Sequence, residues 1–224
     1  MPCIDLAADI GEGFAWDSDL LEFITTAHVC CGAHAGSPEL AASLSAQCRE
    51  QGIRISLHIG YPDRESMGRR SASAAEFEEW SKVLEDQFAM TALQPAAIKF
   101  HGALYHDSGH RPEFTQALID WLSTLGRPLI GDPLSLHPQL AAKAGIPFIS
   151  EGFADRGLDP AGRLLARGNP GALIESADEA AVQALRVAPK VQSLCLHGDV
   201  AGCVARAASV RHALESAGYE VTNA

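Results

Sequence analysis

Seven short apolar runs punctuate the chain, and a longer helical pattern fills most of the gaps between them. The runs are Cys3–Asp9, Ala27–Cys31, Arg54–His58, Ala96–His101, Pro128–Gly131, Pro147–Glu151 and Ser193–His197. Each has strand length, and most are closed by Gly, Pro or Asp, as strand ends are. Strands that alternate with helices predict a mainly parallel sheet, because parallel neighbours need a crossover between them. Seven strands fit either a closed α/β barrel or an open doubly wound sheet. The first turn lacks G-x-G-x-x-G, and no P-loop follows any run, so neither nucleotide-binding motif of open sheets is present. That absence favours the barrel. At 224 residues the chain is long enough to bury a core without disulfides, and the expectation is one domain over residues 1–224.

The helical segments carry their own start signals. Ser37-Pro38-Glu39 reads as an N-cap with proline at the first helical position, followed by Leu40, Leu44 and Cys48 on one face. Ser73 and Glu76 have capping-box spacing ahead of Phe77, Trp80, Leu84 and Phe88. Phe114, Leu118, Trp121, Leu122 and Leu125 form one more apolar stripe, and Val204, Ala207, Val210, Leu214 and Ala217 another. Such stripes are core faces. The segment Asp155–Pro170 is rich in Gly and Pro without periodicity and reads as an excursion or lid.

Polar residues recur at one place in successive units. Asp9 ends the first run, His34 follows the second, and His58, His101, Glu151 and His197 end later ones, with Asp199 close behind. In an α/β barrel these ends converge on one mouth, where active sites are built. Packing alone does not account for four histidines at one structural position. His106, His110, His137 and His212 lie in loops or helices and are read as ordinary structural histidines.

Period-2 alternation puts Lys99 and His101 on one face of their strand, and Asp5, Ala7 and Asp9 on one face of theirs. A lysine inside an apolar strand either snorkels to the barrel rim or meets a carboxylate or an anionic ligand; in the second case Lys99 can neutralise Asp5 or Asp9. The Asp/His set then has two roles open. It can bind a divalent metal, with His34, His58 and Asp9 as ligands, or act without metal as general acid and base. Arg69, Arg70 and Arg156 offer guanidinium forks to a carboxylate or phosphate.

Charge narrows the partners. With 17 Lys+Arg against 28 Asp+Glu and a net charge of −11, nucleic acid and anionic membrane surfaces are poor partners. A small anionic substrate remains, received by locally placed basic groups. No apolar run approaches bilayer length, and Met1–Asp5 lacks the blocks of a signal peptide. The six cysteines show no C-x-x-C pair. Buried, reduced thiols and a cytoplasmic address are expected.

The blocks Asp5–Phe14, Cys31–Gly36, His58–Asp63 with Gly68-Arg69-Arg70, Lys99–Tyr105, Phe153–Arg156 and His197–Asp199 together resemble the LamB/YcsF family. They stand in the family's order over nearly the whole chain. The resemblance implies a (β/α)7-type barrel of the glycoside hydrolase/deacetylase kind. It implies a hydrolase that opens the lactam of 5-oxoproline to give glutamate, with ATP hydrolysis, in a complex with 5-oxoprolinase subunits B and C. ATP would be bound by a partner subunit. By motif match Asp9, Glu12, Lys99, His101, His197 and Asp199 are the catalytic candidates, and Arg69, Arg70, Asp155 and Arg156 the substrate-binding ones. Within that set, Asp9 or His101 would serve as base, with Lys99 and Arg156 holding anionic groups. The sequence departs from the family pattern at Ala7 and His28, where asparagine is usual, at Ile59 and Phe100, where proline is usual, and at Ala33, where phenylalanine is usual. It is also shorter between Gln183 and Cys195. These departures bear on the substrate and leave two alternatives: a metal-dependent hydrolase or deacetylase on the same barrel, and a non-catalytic paralogue.

Overall fold

The computed structural model describes residues 1–89 and 93–223. Its strands are β1 (Cys3–Ile10), β2 (Thr26–Cys30), β3 (Arg54–Ile59), β4 (Ala97–Phe100), β5 (Leu129–Gly131), β6 (Phe148–Phe153), β7 (Ser193–His197) and β8 (Glu220–Val221). All pairings are parallel, and β1 pairs with both β2 and β7, so β1 to β7 close into a barrel in chain order. The seven runs read from the sequence fall on these strands with ends displaced by two residues at most. The two-residue β8, which no run announced, pairs with the start of β1 outside the ring.

The helices are α1 (Pro38–Gln51), α2 (Ala74–Ala89), α3 (Gly102–His110), α4 (Thr115–Leu125), α5 (His137–Ala144), α6 (Ala177–Val187) and α7 (Cys203–Ser216). Their starts follow the cap chemistry. Ser37 Oγ accepts the Leu40 N–H at 3.2 Å, with Pro38 next to it, and α1 stops at Gly52 in the left-handed region. Ahead of α2, Ser73 Oγ accepts the Glu76 N–H at 3.3 Å and Glu76 Oε2 accepts the Ser73 N–H at 2.9 Å, a reciprocal capping box. On that helix Phe77 and Leu84 are buried, whereas the Phe88 side chain lies outside the described residues. None of the described helices is long and apolar enough to cross a membrane.

Strand alternation sorts the side chains between two environments. Leu6, Ala8, Ile10, Val29, Leu57, Ile98, Phe100, Leu194 and Leu196 pack outward with the helix stripes into the main core. Each buried Leu or Ile there contributes about 1.5–3 kcal/mol. The alternate residues fill the barrel and are mostly polar. At its lower end Asp5 Oδ1 accepts the Thr25 and Thr26 hydroxyls, both at 2.7 Å, and Oδ2 accepts Ser193 Oγ at 2.8 Å and Arg54 Nη2 at 3.1 Å. Ala97, Ile130 and Ile149 make a small apolar cluster on the inner face of β4 to β6. Above them the chemistry begins.

Candidate active site

Lys99 organises the upper interior. Its ammonium lies 2.8 Å from Asp9 Oδ1, 2.9 Å from Glu151 Oε1 and 2.9 Å from Cys195 Sγ. These partners sit on β1, β6 and β7, none of them a neighbour of β4, so the contacts cross the barrel. Burial works against the ammonium, but Asp9, Cys195 and Glu151 outweigh it and hold the Lys99 pKa well above its ordinary value. Lys99 is therefore a fixed cation. Burial likewise opposes the Asp9 carboxylate, and His58, Lys99 and His197 overcome it, leaving Asp9 ionised well below the usual range. Glu151 is lowered against its burial by Lys99 and His28. Cys195 is pushed the other way, chiefly by burial and by Asp9.

Four side chains converge beside this pair. Glu12, His34, His58 and His101 each offer one ligand atom, all within 4.8 Å of one another. Glu12 reaches the group because Gly11 and Gly13 flank it with φ of +80° and +97°, turning the chain back over the strand ends. The His34 and His101 rings stack at 3.9 Å, and His58 meets His101 edge-on at 4.7 Å. The stack needs Gly60: a Cβ there would stand 2.5 Å from His34 Nδ1 and 3.1 Å from His101 Cβ. Burial lowers the pKa of both His58 and His101 well below the ordinary value, so these rings are neutral at pH 7.

His197 has a different setting. Its Nδ1 lies 2.9 Å from Asp155 Oδ1, and its backbone N–H donates to Asp155 Oδ2 at 2.7 Å. The carboxylate accepts a hydrogen bond from Nδ1–H, which turns Nε2 inward, 3.9 Å from Asp9 Oδ2. Asp155 stays ionised despite burial because His197 holds its charge. A carboxylate that fixes an imidazole tautomer beside a cavity is the arrangement of a general acid–base pair.

The cavity above has a volume of about 240 Å³, with Asp9, His58, Lys99, His101 and His197 on its floor. Arg69, Arg156, Arg167 and His106 contribute to its wall. Arg69 and Arg167 both bind Asp199 Oδ2, Arg167 at 3.1 Å, so one carboxylate holds two guanidinium groups at the rim.

The expected site residues separate into three groups. Asp9, Lys99, His101 and His197 meet at the floor, with Glu12, His34 and His58 in contact. Ligand atoms of Glu12, His34, His58 and His101 converge, and of the expected set Asp9, His34 and His58, Asp9 lies 3.4 Å from His58 and faces Lys99. Arg70 is outside: it pairs with Glu76 at 2.8 Å and lies over Trp80, away from the cavity. Arg156 donates to the carbonyls of Ala172 and Leu165, at 3.0 and 2.7 Å, and so ties down the excursion after β6. Burial lowers its pKa to about 10.

Sequence reasoning missed Arg167, which lies in that aperiodic excursion, and read His106 as ordinary although it lines the cavity. His28 was noted only as a departure. It stands 3.5 Å from Glu151, hydrogen-bonded to Ser56. Cys30 and Cys31 are buried and free, and burial pushes the Cys31 thiol up to about 12, so neither has a reactive thiolate.

Residues 4–224 match the model of the LamB/YcsF family. A protein from Nocardia farcinica, named as the A subunit of 5-oxoprolinase, is 34% identical over 245 aligned positions, covering 97% of this chain and 98% of its own. The crystal structure of a lactam utilization protein from Thermus thermophilus gives a TM-score of 0.84 at 27% identity, covering 99% of this chain and 100% of that one. A family 4 carbohydrate esterase from Streptomyces lividans shares the fold alone, with a TM-score of 0.53 at 12% identity over 98% of this chain and 91% of that one.

Proposed function

This chain belongs to the LamB/YcsF family, and from that premise we propose that it is the A component of an ATP-dependent 5-oxoprolinase, a hydrolase that opens the lactam of 5-oxoproline to glutamate. The observation that carries the reading is the near full-length similarity to a protein named as the A subunit of 5-oxoprolinase. A small cavity with basic groups at its rim and an acid–base pair on its floor supports it. The amide of an unstrained five-membered ring resists hydrolysis, so coupling to ATP makes chemical sense. ATP is bound by a partner subunit, and subunits B and C complete the enzyme in the cytoplasm. All of residues 1–224 serve as one catalytic domain.

In the reaction, phosphoryl transfer from ATP to the lactam oxygen activates the carbonyl carbon; water adds there, the ring C–N bond breaks as the nitrogen takes a proton, and a second water releases phosphate from the resulting acyl phosphate to give glutamate. His197, with its tautomer set by Asp155, removes the proton from water and returns it to nitrogen. Asp9 and Lys99 fix the charge beside it, and His101 borders the reacting group. Arg69 and Arg167, gathered by Asp199, receive the substrate carboxylate. The departure at His28 stands against Glu151, 3.5 Å away, and not among the rim arginines.

The test is reconstitution: this chain with subunits B and C, 5-oxoproline and ATP, assayed for glutamate, with His101→Ala as control. Glutamate that depends on the chain and disappears with the variant supports the reading. No glutamate from a folded, complex-forming protein would overturn it. A second reading, a metal-dependent hydrolase or deacetylase, is favoured by the Glu12–histidine cluster, provided that one of its four donors gives way to water or substrate. It requires chelator-sensitive hydrolysis of an amide or acetyl group in the absence of ATP.

A further inference from the structure

We propose that Glu12, His34, His58 and His101 form a four-donor site for one divalent cation of the zinc class. Glu12 Oε1 is its hub, 3.6 Å from His34 Nε2, 3.6 Å from His58 Nε2 and 3.4 Å from His101 Nδ1. His58 Nε2 and His101 Nδ1 are 2.8 Å apart. Around a tetrahedral zinc ion, with bonds of about 2.0–2.2 Å, donor atoms stand roughly 3.3–3.5 Å from one another. The three Glu12 contacts fit that spacing, and the His58–His101 contact, a hydrogen bond without the ion, has to open by about half an ångström to reach it; the donors come from four different segments of the chain. Three imidazoles and one carboxylate suit zinc better than the oxygen-seeking magnesium or calcium.

The hydrogen bonds at the cluster leave a place for positive charge. Glu12 Oε1 is buried and has no hydrogen-bond donor among the described residues, an expensive condition for a carboxylate oxygen. The Glu12 side chain is only 3% exposed, so water does little to relieve it. His101 Nε2 lies 2.8 Å from the Met67 carbonyl, which takes its proton and leaves a lone pair at Nδ1, facing the cluster. A backbone carbonyl on the far nitrogen is the usual outer support of a ligating histidine. Cys30 Sγ lies 3.2 Å from His34 Nε2, but its weak S–H has the Ala35 carbonyl at 3.3 Å as acceptor. Lys99 is no substitute for the cation, because Asp9 and Glu151 already hold it. The same ammonium excludes a metal from the second grouping of ligand types, Asp9, His28 and Cys195, since it lies against both Asp9 and Cys195.

Four protein donors fill a zinc-type sphere, so the cation holds the stacked rings and the Glu12 turn in place and sets a positive charge beside the cavity floor. The inference is independent of the lactam reading, because metal content is measured without substrate. The experiment uses untagged full-length chain, stripped with chelator, re-equilibrated with zinc and desalted, then analysed for metal by mass spectrometry. One zinc per chain is expected. Cobalt in its place should give the intense visible bands of a four-coordinate ion, and chelation should lower the melting temperature. Glu12→Gln and His34→Ala should weaken zinc binding by more than about tenfold, while Cys195→Ser leaves it unchanged. Background metal in folded wild-type protein would overturn the proposal. So would zinc binding that survives both cluster variants, or that is lost in Cys195→Ser. Calorimetric titration of stripped wild-type protein separates the same outcomes if the variants fail to fold.

Discussion

Asp5 and Asp9 lie four residues apart on the same face of β1, both buried, and they have opposite fates. Both oxygens of Asp5 are occupied at hydrogen-bonding distance, by three hydroxyls and a guanidinium. Asp9 Oδ1 accepts from Lys99, while among the described residues Oδ2 has only His58 at 3.4 Å and His197 at 3.9 Å. Next to it, Glu12 Oε1, His34 Nδ1 and His58 Nδ1 are buried with no hydrogen-bond partner among the described residues. Among the described residues, both oxygens of Asp5 are satisfied at the lower end, while buried atoms around Asp9 and Glu12 are left open at the upper end. Buried polar groups in a folded protein are normally satisfied. The concentration of unsatisfied ones at one end marks where the fold keeps donor and acceptor capacity for something that is not itself.

The contrast can be broken at either end. The largest effect is expected from His197→Gln, which should cut glutamate formation by the reconstituted enzyme about 10³-fold while the melting temperature stays near wild type. A comparable fall in melting temperature would mean that the upper end is structural after all. Asp5→Asn should do the reverse. It removes the charge that three hydroxyls and the Arg54 guanidinium share and should cost about 3 kcal/mol, a fall in melting temperature of roughly 6–12 °C for a chain of this size. The activity of the folded fraction should be retained. Arg167→Ala should raise KM for the anionic substrate about tenfold, the worth of one charge-assisted hydrogen bond, with kcat little changed. A kcat effect instead would place Arg167 on the reacting atoms.

His137 sharpens the comparison as a histidine of the satisfied kind. Its Nδ1 accepts the Asp132 N–H at 3.1 Å and its Nε2 lies 2.9 Å from Ser108 Oγ, so both nitrogens are used by the neutral ring. Burial lowers its pKa to about 4. The unfolded chain takes up this proton near pH 6.5 and the folded chain does not, so stability is fully present above that pH and declines as pH falls toward 4. His137 should contribute on the order of 1 kcal/mol per pH unit to that decline, beside the buried His58 and His101, and His137→Gln should reduce the slope read from urea unfolding by that amount.

How much was legible in the sequence follows the same division. The strands were readable because their outward residues are apolar and their ends carry Gly, Pro or Asp. Period-2 alternation alone offered Lys99 a β1 aspartate as partner, beside the alternative of a side chain snorkelling to the rim. α3 escaped because it starts directly after β4, and its buried face includes Asp107, Ser108 and Gly109 and so shows no apolar stripe. The convergence of Glu12 with the three histidines depends on two positive-φ glycines that swing it over the barrel. Spacing records that the glycines exist, not where the turn aims. Arg167 sits in a segment without period, so nothing in the pattern tied it to Asp199, thirty-two positions away.

The ring of charges inside the barrel also bears on how the chain folds. Asp5 needs Ser193, 188 positions away, and Lys99 lies 90 positions from Asp9. Until β7 docks on β1, a partly built barrel has two open strand edges and stranded ionic groups that have lost water without gaining partners. Loop closure grows costlier only slowly with length, but contacts of this reach are late to form. Trp16, whose indole donates to the Gly198 carbonyl at 2.6 Å across the β1–β7 seam, is placed to report the moment of closure. Partial barrels are thus poor resting places, and the molecule should unfold as a single cooperative unit.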